Sequence, residues 1–278
     1  LEKTIHTAGR LMHMDSPKIM GILNVTPDSF YGRSRVSAND NLLHAAEAML
    51  VEGADMLDVG GVSTRPGADE VSEEDEMKRL IPSILALANH FPEVTLSVDT
   101  FRSRVAREAV AAGAAWINDV SGGTADPDMI ATVAELNVPY VLMHMRGTPQ
   151  NMHEFTQYDN LVEDVIFEMG QRREKCLAAG ICDLILDPGF GFAKTVEQNF
   201  MLLNQLSRFT LFGHPILVGI SRKSMIWRTL RTNPEEALNG TTALHMVSLM
   251  HGADILRVHD VREAAECLCL FSHLRTKA

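Results

Sequence analysis

Apolar and polar positions along the chain follow two alternating rhythms. Short apolar runs of strand length recur near Ile19–Leu23, Met56–Val59, Thr95–Val98, Trp116–Ile117, Tyr140–Met143, Leu184–Leu186, Ile216–Ile220 and Ile255–Val258. Amphipathic or capped stretches of helix length separate them, among them Asn41–Val51, Glu73–Asn89, Ser103–Ala111 and Leu161–Ala179. Unbroken apolar runs suit parallel strands covered on both faces, and helices supply the cover. Four returns into a strand carry glycine: "VEGADMLDV", "AAGAAWIND", "AAGICDLIL" and "MHGADILRV". Glycine just past a helix end provides the left-handed cap that turns the chain back. The recurrence predicts one β/α unit used eight times. Eight units in 278 residues fit an α/β fold of one closed (β/α)8 TIM barrel better than a doubly wound sheet. "GGVSTRPG" and "DPGFGF" do not have the G-x-G-x-x-G spacing of a dinucleotide fold. No linker or low-complexity tract breaks the chain, so residues 1–278 read as a single domain. The N-terminal extension from Lys3 to Met14 reads as a short hairpin closing the bottom of the barrel.

Composition narrows the setting. A net charge of −11 argues against general nucleic-acid binding, although local charge can still favour a small anion. No apolar run approaches the roughly 18 residues of a membrane span, and the first residues lack the pattern of a signal peptide. The four cysteines, Cys176, Cys182, Cys267 and Cys269, form no C-x-x-C pair and suggest reduced thiols in a cytoplasmic enzyme. Cys267 and Cys269 would point apart on a helix, so packing is a better reading than a metal site.

A barrel makes a claim about chemistry, because its site lies at the C-terminal ends of the strands. The residues at or just beyond the eight runs are Asn24, Asp58, Asp99, Asn118 with Asp119, His144, Asp187, Lys223, and Arg257 with His259. All are polar, with Asp and Asn early and basic groups after the seventh and eighth runs, where barrels often bind phosphate. Asp and Asn supply donors and acceptors for a flat heterocycle with amide and amino edges. A carboxylate facing two parallel N–H groups fixes orientation, a role that Asp187 fits, with Asn118 reading a second edge. Arg257 and His259 alternate in "RVH" and share a face. A helix start near Asp260 adds an anion-favouring field, and Arg222 and Lys223 add positive charge. Structural readings stand beside these. Asp58 serves loop support or direct catalysis equally well, and Asp119 could cap its turn. His144 reads somewhat better as a satisfied structural histidine, and Met143 and Met145 as core. Arg222 could be structural while Lys223 functions. "SEEDEMKR" reads as a solvated helix start with acids near the N-terminus.

Eight ordered segments then carry a resemblance. "MGILNVTPDSF", "GGVSTRPGA", "SVDT", "NDVSGG", "LMHMRGTPQNM", "LDPGFGFAK", "GISRKS" and "ILRVHDV", spanning Met20 to Val261, resemble the signatures of the dihydropteroate synthase family. The resemblance implies a folate-pathway transferase joining 4-aminobenzoate to 6-hydroxymethyl-7,8-dihydropterin diphosphate. The products would be 7,8-dihydropteroate and pyrophosphate, formed by dissociative loss of the pyrophosphate. By motif position it implies a pterin pocket of Asp99, Asn118, Asp187 and Lys223, lined by Val120, Met145, Phe192 and Gly219. Pyrophosphate would meet Asn24, Thr64, Arg257 and His259, with Asn24 also contacting Mg2+. The 4-aminobenzoate site would comprise Phe30, Thr64, Arg65, Pro66, Lys223 and Ser224. Asp99, Lys223, Arg257 and His259 would carry the catalysis. The resemblance also implies a homodimer and competition by sulfonamides.

The chain departs from the family pattern in two loops. "DSFYGRSRV" places Tyr31, Arg33 and Arg35 where an acidic, glycine-rich segment is common, and Val62 stands where glutamate is common. The competing reading is a pterin-binding methyl-transfer domain serving a corrinoid protein, which would share the pterin-reading Asp and Asn. Such a domain would not need "TPDSF", "STRPG" and the "SRKS" lysine together.

Overall fold

The computed structural model describes residues 3–7, 9–25, 35–62 and 71–275. The chain begins with an antiparallel hairpin, β1 (Thr4–Thr7) and β2 (Arg10–His13). Strands and helices then alternate: β3 (Lys18–Asn24), α1 (Arg35–Val51), β4 (Met56–Gly60), α2 (Glu73–His90), β5 (Thr95–Asp99) and α3 (Ser103–Ala111). The order continues through β6 (Trp116–Asp119), α4 (Met129–Leu136), β7 (Tyr140–Met143), α5 (Leu161–Ala178), β8 (Leu184–Asp187) and α6 (Val196–Asn204). Last come β9 (Leu217–Val218), α7 (Ser224–Leu230), α8 (Leu238–Met250), β10 (Ile255–Val258) and α9 (Val261–Arg275).

Strands β3 to β10 form one parallel sheet of eight in the order β8-β7-β6-β5-β4-β3-β10-β9. A parallel bridge between Leu186 and Ile216, with Leu186 N–H donating to Pro215 O at 2.9 Å, joins the two ends of that order. The result is the (β/α)8 barrel expected from the repeat. All four glycines of the recurring returns, Gly53, Gly113, Gly180 and Gly252, have positive φ between 94° and 116°. The left-handed cap is therefore the device that the sequence suggested.

Two expectations need correction. The seventh run, Ile216–Ile220, keeps pairing only over its first three residues, Ile216 through the bridge to Leu186 and Leu217–Val218 as strand. Beyond it the chain turns, and Lys223 N–H folds back on Ile220 O at 3.1 Å. The acidic run at Glu73–Glu76 does start a helix, with the Ser72 hydroxyl accepting from Asp75 N–H at 3.1 Å, but it is not wholly solvated. Glu76 is fully buried, accepts the Thr100 hydroxyl at 2.7 Å and pairs with Arg102.

Two apolar layers follow from strand alternation. Outward-facing residues such as Leu57, Val59, Val98, Ile117 and Leu142 pack under the helices. Inward-facing Met20, Met56, Trp116, Ile185, Leu217 and Ile255 fill the lower barrel with Ile5 and Met14 from the hairpin region. The hairpin closes the bottom as expected. Trp116 Nε1 donates to Thr7 Oγ1 at 2.8 Å, and His6 N–H donates to the Asp183 carboxylate at 3.0 Å. Above that layer the inward positions become polar: Asp58, Asp99, Asn118, Asp187 and Arg257.

Candidate active site

Two inward positions at the mouth carry glycine. A Cβ on Gly60 would stand 3.5 Å from Asn24 Oδ1 and 3.5 Å from Asp99 Cβ, so Gly60 brings those side chains close together. Gly219 lies against the stem of Arg257, 3.9 Å from its Cβ to where a Cβ would be. The absent side chains leave a hollow among polar groups from several strands.

Arg257 is the hub of that hollow. Its Nε donates to Asp58 Oδ2 at 2.6 Å and its terminal nitrogen to Asp99 Oδ2 at 2.7 Å. Asp58 Oδ2 also accepts from Asn118 Nδ2 at 2.8 Å. One fully buried carboxylate thus sets both a guanidinium and an amide. This assigns Asp58, which the sequence left open between support and catalysis, to support of the mouth from inside β4. Burial pushes the Asp99 carboxyl up to about 7; Arg257 opposes the rise and Asp58 adds to it. Burial also disfavours charge on Arg257, but Asp58 and Asp99 outweigh it and hold the guanidinium above its usual value.

Across the barrel, burial raises the Asp187 pKa, opposed chiefly by Lys223. Burial draws Lys223 down to about 8, while Asp187 supports its charge. The Lys223 ammonium lies 4.5 Å from the centroid of the Phe192 ring and donates to Phe190 O. Val120, Met145 and Phe192 join Met143, Met152, Ala193 and Phe101 in a separate apolar cluster. The three side chains expected to line a heterocycle pocket are thus gathered together. His259, at the end of β10, has its Nδ1 3.0 Å from the Ser221 hydroxyl. Ser224 opens α7 immediately after Lys223.

Several polar residues near the strand ends face away from the mouth. Asp119 accepts from Ser121 N–H at 2.7 Å, Gly123 N–H at 2.8 Å and the Tyr140 hydroxyl at 2.7 Å, so it caps its turn as one reading had it. His144 is buried between β7 and α5, 3.1 Å from Glu168, and burial with the nearby Lys194 lowers its pKa to about 3. It is the structural histidine favoured by the sequence. Arg222, at φ 54°, turns to Asp260 with bonds of 2.8 and 2.7 Å and to the carbonyls of Pro234 and Glu235. Its charge therefore compensates Asp260 at the start of α9 and does not add to an anion cradle. Cys267 is buried, in keeping with packing, whereas Cys269 is exposed and points away from it.

Phe30, Thr64, Arg65 and Pro66 lie outside the described residues, as do Tyr31 and Arg33. The sequence reading missed Ser221, Phe101, Glu168 and Lys194. Lys194 closes the quoted "LDPGFGFAK", but nothing in the spacing indicates which way a single lysine turns.

A family model described as pterin binding enzyme matches residues 20–259, from the first barrel strand to His259. The fold and its mouth therefore define the class of pterin-binding barrel enzymes. Dihydropteroate synthase from Escherichia coli K12 is 44% identical over 94% of this chain and 92% of its own length. The Yersinia pestis dihydropteroate synthase, solved with a sulfonamide drug complex, superposes with a TM-score of 0.92 at 42% identity, covering 99% of this chain and 100% of that one. The Xanthomonas albilineans dihydropteroate synthase with 4-aminobenzoic acid gives 0.92 at 40% identity, covering 100% of both chains. The chain belongs to the dihydropteroate synthase family, and its reaction class is transfer.

Proposed function

We propose that the mouth condenses 6-hydroxymethyl-7,8-dihydropterin diphosphate with 4-aminobenzoate by losing pyrophosphate first. The observation that carries this reading is the Asp58–Arg257–Asp99 bridge, with Asn118 on the same Asp58 oxygen. It sets a carboxylate and a guanidinium side by side, as separation of opposite charges requires. An aryl amine is a weak nucleophile, so departure of pyrophosphate ahead of attack lowers the demand on it. Ionised Asp99 would stabilise the cation that develops on the dihydropterin methylene, and Arg257 with His259 would meet the leaving diphosphate. Preorganised groups of this kind contribute about 2.7–4 kcal/mol each in a dry site. Asp187 would take the paired N–H groups of the pterin, and Asn118 a further edge. Lys223 would face the ring from over Phe192, and Val120, Met145, Phe192 and Gly219 would line the pocket. Ser224, with Phe30, Thr64, Arg65 and Pro66, would seat the 4-aminobenzoate, where sulfonamides would compete.

Asn24 would contact Mg2+ brought with the diphosphate. Among the described residues no three His, Cys, Asp or Glu side chains gather as a metal site. Mg2+ characteristically keeps its waters and takes one or two protein ligands beside substrate phosphates, so a lone amide oxygen at the mouth suits it. Bound there, it would neutralise charge on the leaving group. Pairing of two copies rests on the family likeness. The four free cysteines are in keeping with a cytoplasmic setting, and no described helix is long and apolar enough to cross a membrane.

Mixing the protein with pterin diphosphate, 4-aminobenzoate and Mg2+ tests the reaction. Pyrophosphate release with formation of dihydropteroate is the expected result. Tight pterin binding without release would overturn it and favour the methyl-transfer reading.

A further inference from the structure

The segment between β8 and α6 satisfies little of its own backbone: Phe192 N–H returns to Gly189 O at 3.2 Å, and most of its other polar groups turn to side chains. Gly189, Gly191 and Ala193 all have positive φ, at 74°, 81° and 50°, so no regular ladder forms. Buried backbone carbonyls still need donors. Side chains supply them from every side. Lys223 donates to Phe190 O, and the Tyr158 hydroxyl donates to Ala193 O at 3.0 Å. Gly191 N–H finds Asn199 Oδ1 at 2.7 Å. The carbonyls of Gly189 and Phe192 both accept from Lys194 Nζ, each at 3.0 Å.

Lys194 is a buried amine for which the proposed reaction has no use; burial draws its pKa down to about 7, while Asp187 supports the charged form. Its third neighbour is His144 Nδ1 at 3.1 Å, and His144 Nε2 in turn meets Glu168 at 3.1 Å. An ammonium has three hydrogens and no lone pair, and here it faces three acceptors. The match also sets the imidazole tautomer, with Nδ1 accepting and Nε2–H donating to Glu168. Glu168 stands on α5, and Arg146 from the loop after β7 holds it through bonds of 2.8 and 2.5 Å. A rigid chain of contacts therefore runs from a surface helix to the back of the loop. The front of that loop carries Asp187, whose Oδ1 accepts Gly189 N–H at 2.8 Å, and Phe192. Lys223 also braces the loop, but it faces the mouth, where substrate would compete for it. Lys194 does not face that competition.

We propose that Lys194 is a positioning residue for pterin binding: seated between His144 and the carbonyls of Gly189 and Phe192, its ammonium holds the loop so that Asp187 and Phe192 are set before the heterocycle arrives. The proposal rests on the pterin diphosphate reading of the mouth. Lys194→Met keeps the length of the stem and removes all three donors. It is expected to raise KM for pterin diphosphate about 10- to 100-fold, from two or more lost hydrogen bonds. KM for 4-aminobenzoate and kcat should stay within about threefold. Lys194→Gln, which keeps two N–H donors without the charge, should fall between. A folded Lys194→Met enzyme with wild-type KM for pterin diphosphate would overturn the role. So would equal losses in kcat and both KM values, the mark of a merely structural residue. Should neither variant fold, amide hydrogen exchange on the wild-type enzyme without ligand decides. The amides of Gly189, Gly191 and Phe192 should exchange as slowly as those of β8, and fast exchange there refutes a loop set in advance. That exchange is readable even if the wild-type enzyme releases no pyrophosphate, so failure of the reaction and failure of the brace remain separate results.

Discussion

Replacing Asp58 with asparagine probes the mouth without touching substrate. The change keeps the shape and removes one charge from the Arg257 bridge. Asp58 Oδ1 has no hydrogen-bond partner, so the new NH2 can take that side while the amide oxygen keeps Asn118 and Arg257. Two bonds to a carboxylate, at 2.8 and 2.6 Å, then become bonds to a neutral acceptor. Charge-assisted bonds contribute about 1.5–3 kcal/mol and neutral ones about 0.5–1.5; the Arg257 bond keeps its ionised donor, so the change in the Asn118 bond costs about 1–1.5 kcal/mol of stability. Tm should fall by about 2–5 °C. The more telling effect is on Asp99, whose carboxyl lies near 7 through burial, with Asp58 adding to the rise. Two carboxylates on one guanidinium stand ~5 Å apart; at an effective dielectric of ~20, one unit charge there is worth about 3 kcal/mol, or about two pH units at most. Screening by Arg257 brings the expected shift to about one unit. Loss of Asp58 therefore lets Asp99 ionise at lower pH, and the proposed reaction would need Asp99 ionised. The assay is kcat/KM for pterin diphosphate from pH 5 to 9 at saturating 4-aminobenzoate, wild type against variant. The acid limb should move down by about one pH unit. An unmoved limb, or one that moves up, would refute the electrostatic account.

Arg257→Ala should weaken a pyrophosphate-containing pterin far more than free pterin, measured by calorimetry; equal losses would remove its leaving-group role. It should also cost about 3–5 kcal/mol in denaturant unfolding, because two buried carboxylates lose their partner. Thr7→Val leaves the buried Trp116 indole N–H without an acceptor and should cost about 1–3 kcal/mol while kcat/KM stays unchanged. Burial works against charge on Glu168, but bonds from His144 and Arg146 outweigh it and pull the carboxyl down to about 2. The stability that Glu168 adds is complete above the usual carboxylate range and is lost as pH falls toward 2, so Glu168→Gln should flatten the acid side of a Tm–pH curve. A curve as steep as that of the wild type would exclude that contribution.

Much of the molecule was legible in one dimension because its signals are local. Apolar runs of strand length, helical spacing and returning glycines require only neighbours along the chain. They gave the barrel, and the barrel rule then led to Asn24, Asp99, Asn118, Asp187, Lys223 and Arg257. The loop motifs added an ordered likeness that no single residue carries.

Direction and partnership were not legible. Asp58 and Asp119 both stand in short polar-tipped strands, yet one turns into the barrel beneath Arg257 and the other outward to Tyr140. Arg222 and Lys223 are adjacent cations, but a left-handed residue sends one to Asp260 and the other over Phe192. Lys194 and Glu168 meet His144 only because β7, β8 and α5 are packed side by side. Sequence alone determined the repeat, the polar rim and the chemical types available at the mouth, because backbone periodicity and side-chain chemistry are properties of the chain itself. Tertiary structure decided which charges face one another and which acceptors surround each donor. Those depend on distances of a few ångströms between residues as far apart as Asp58 and Arg257.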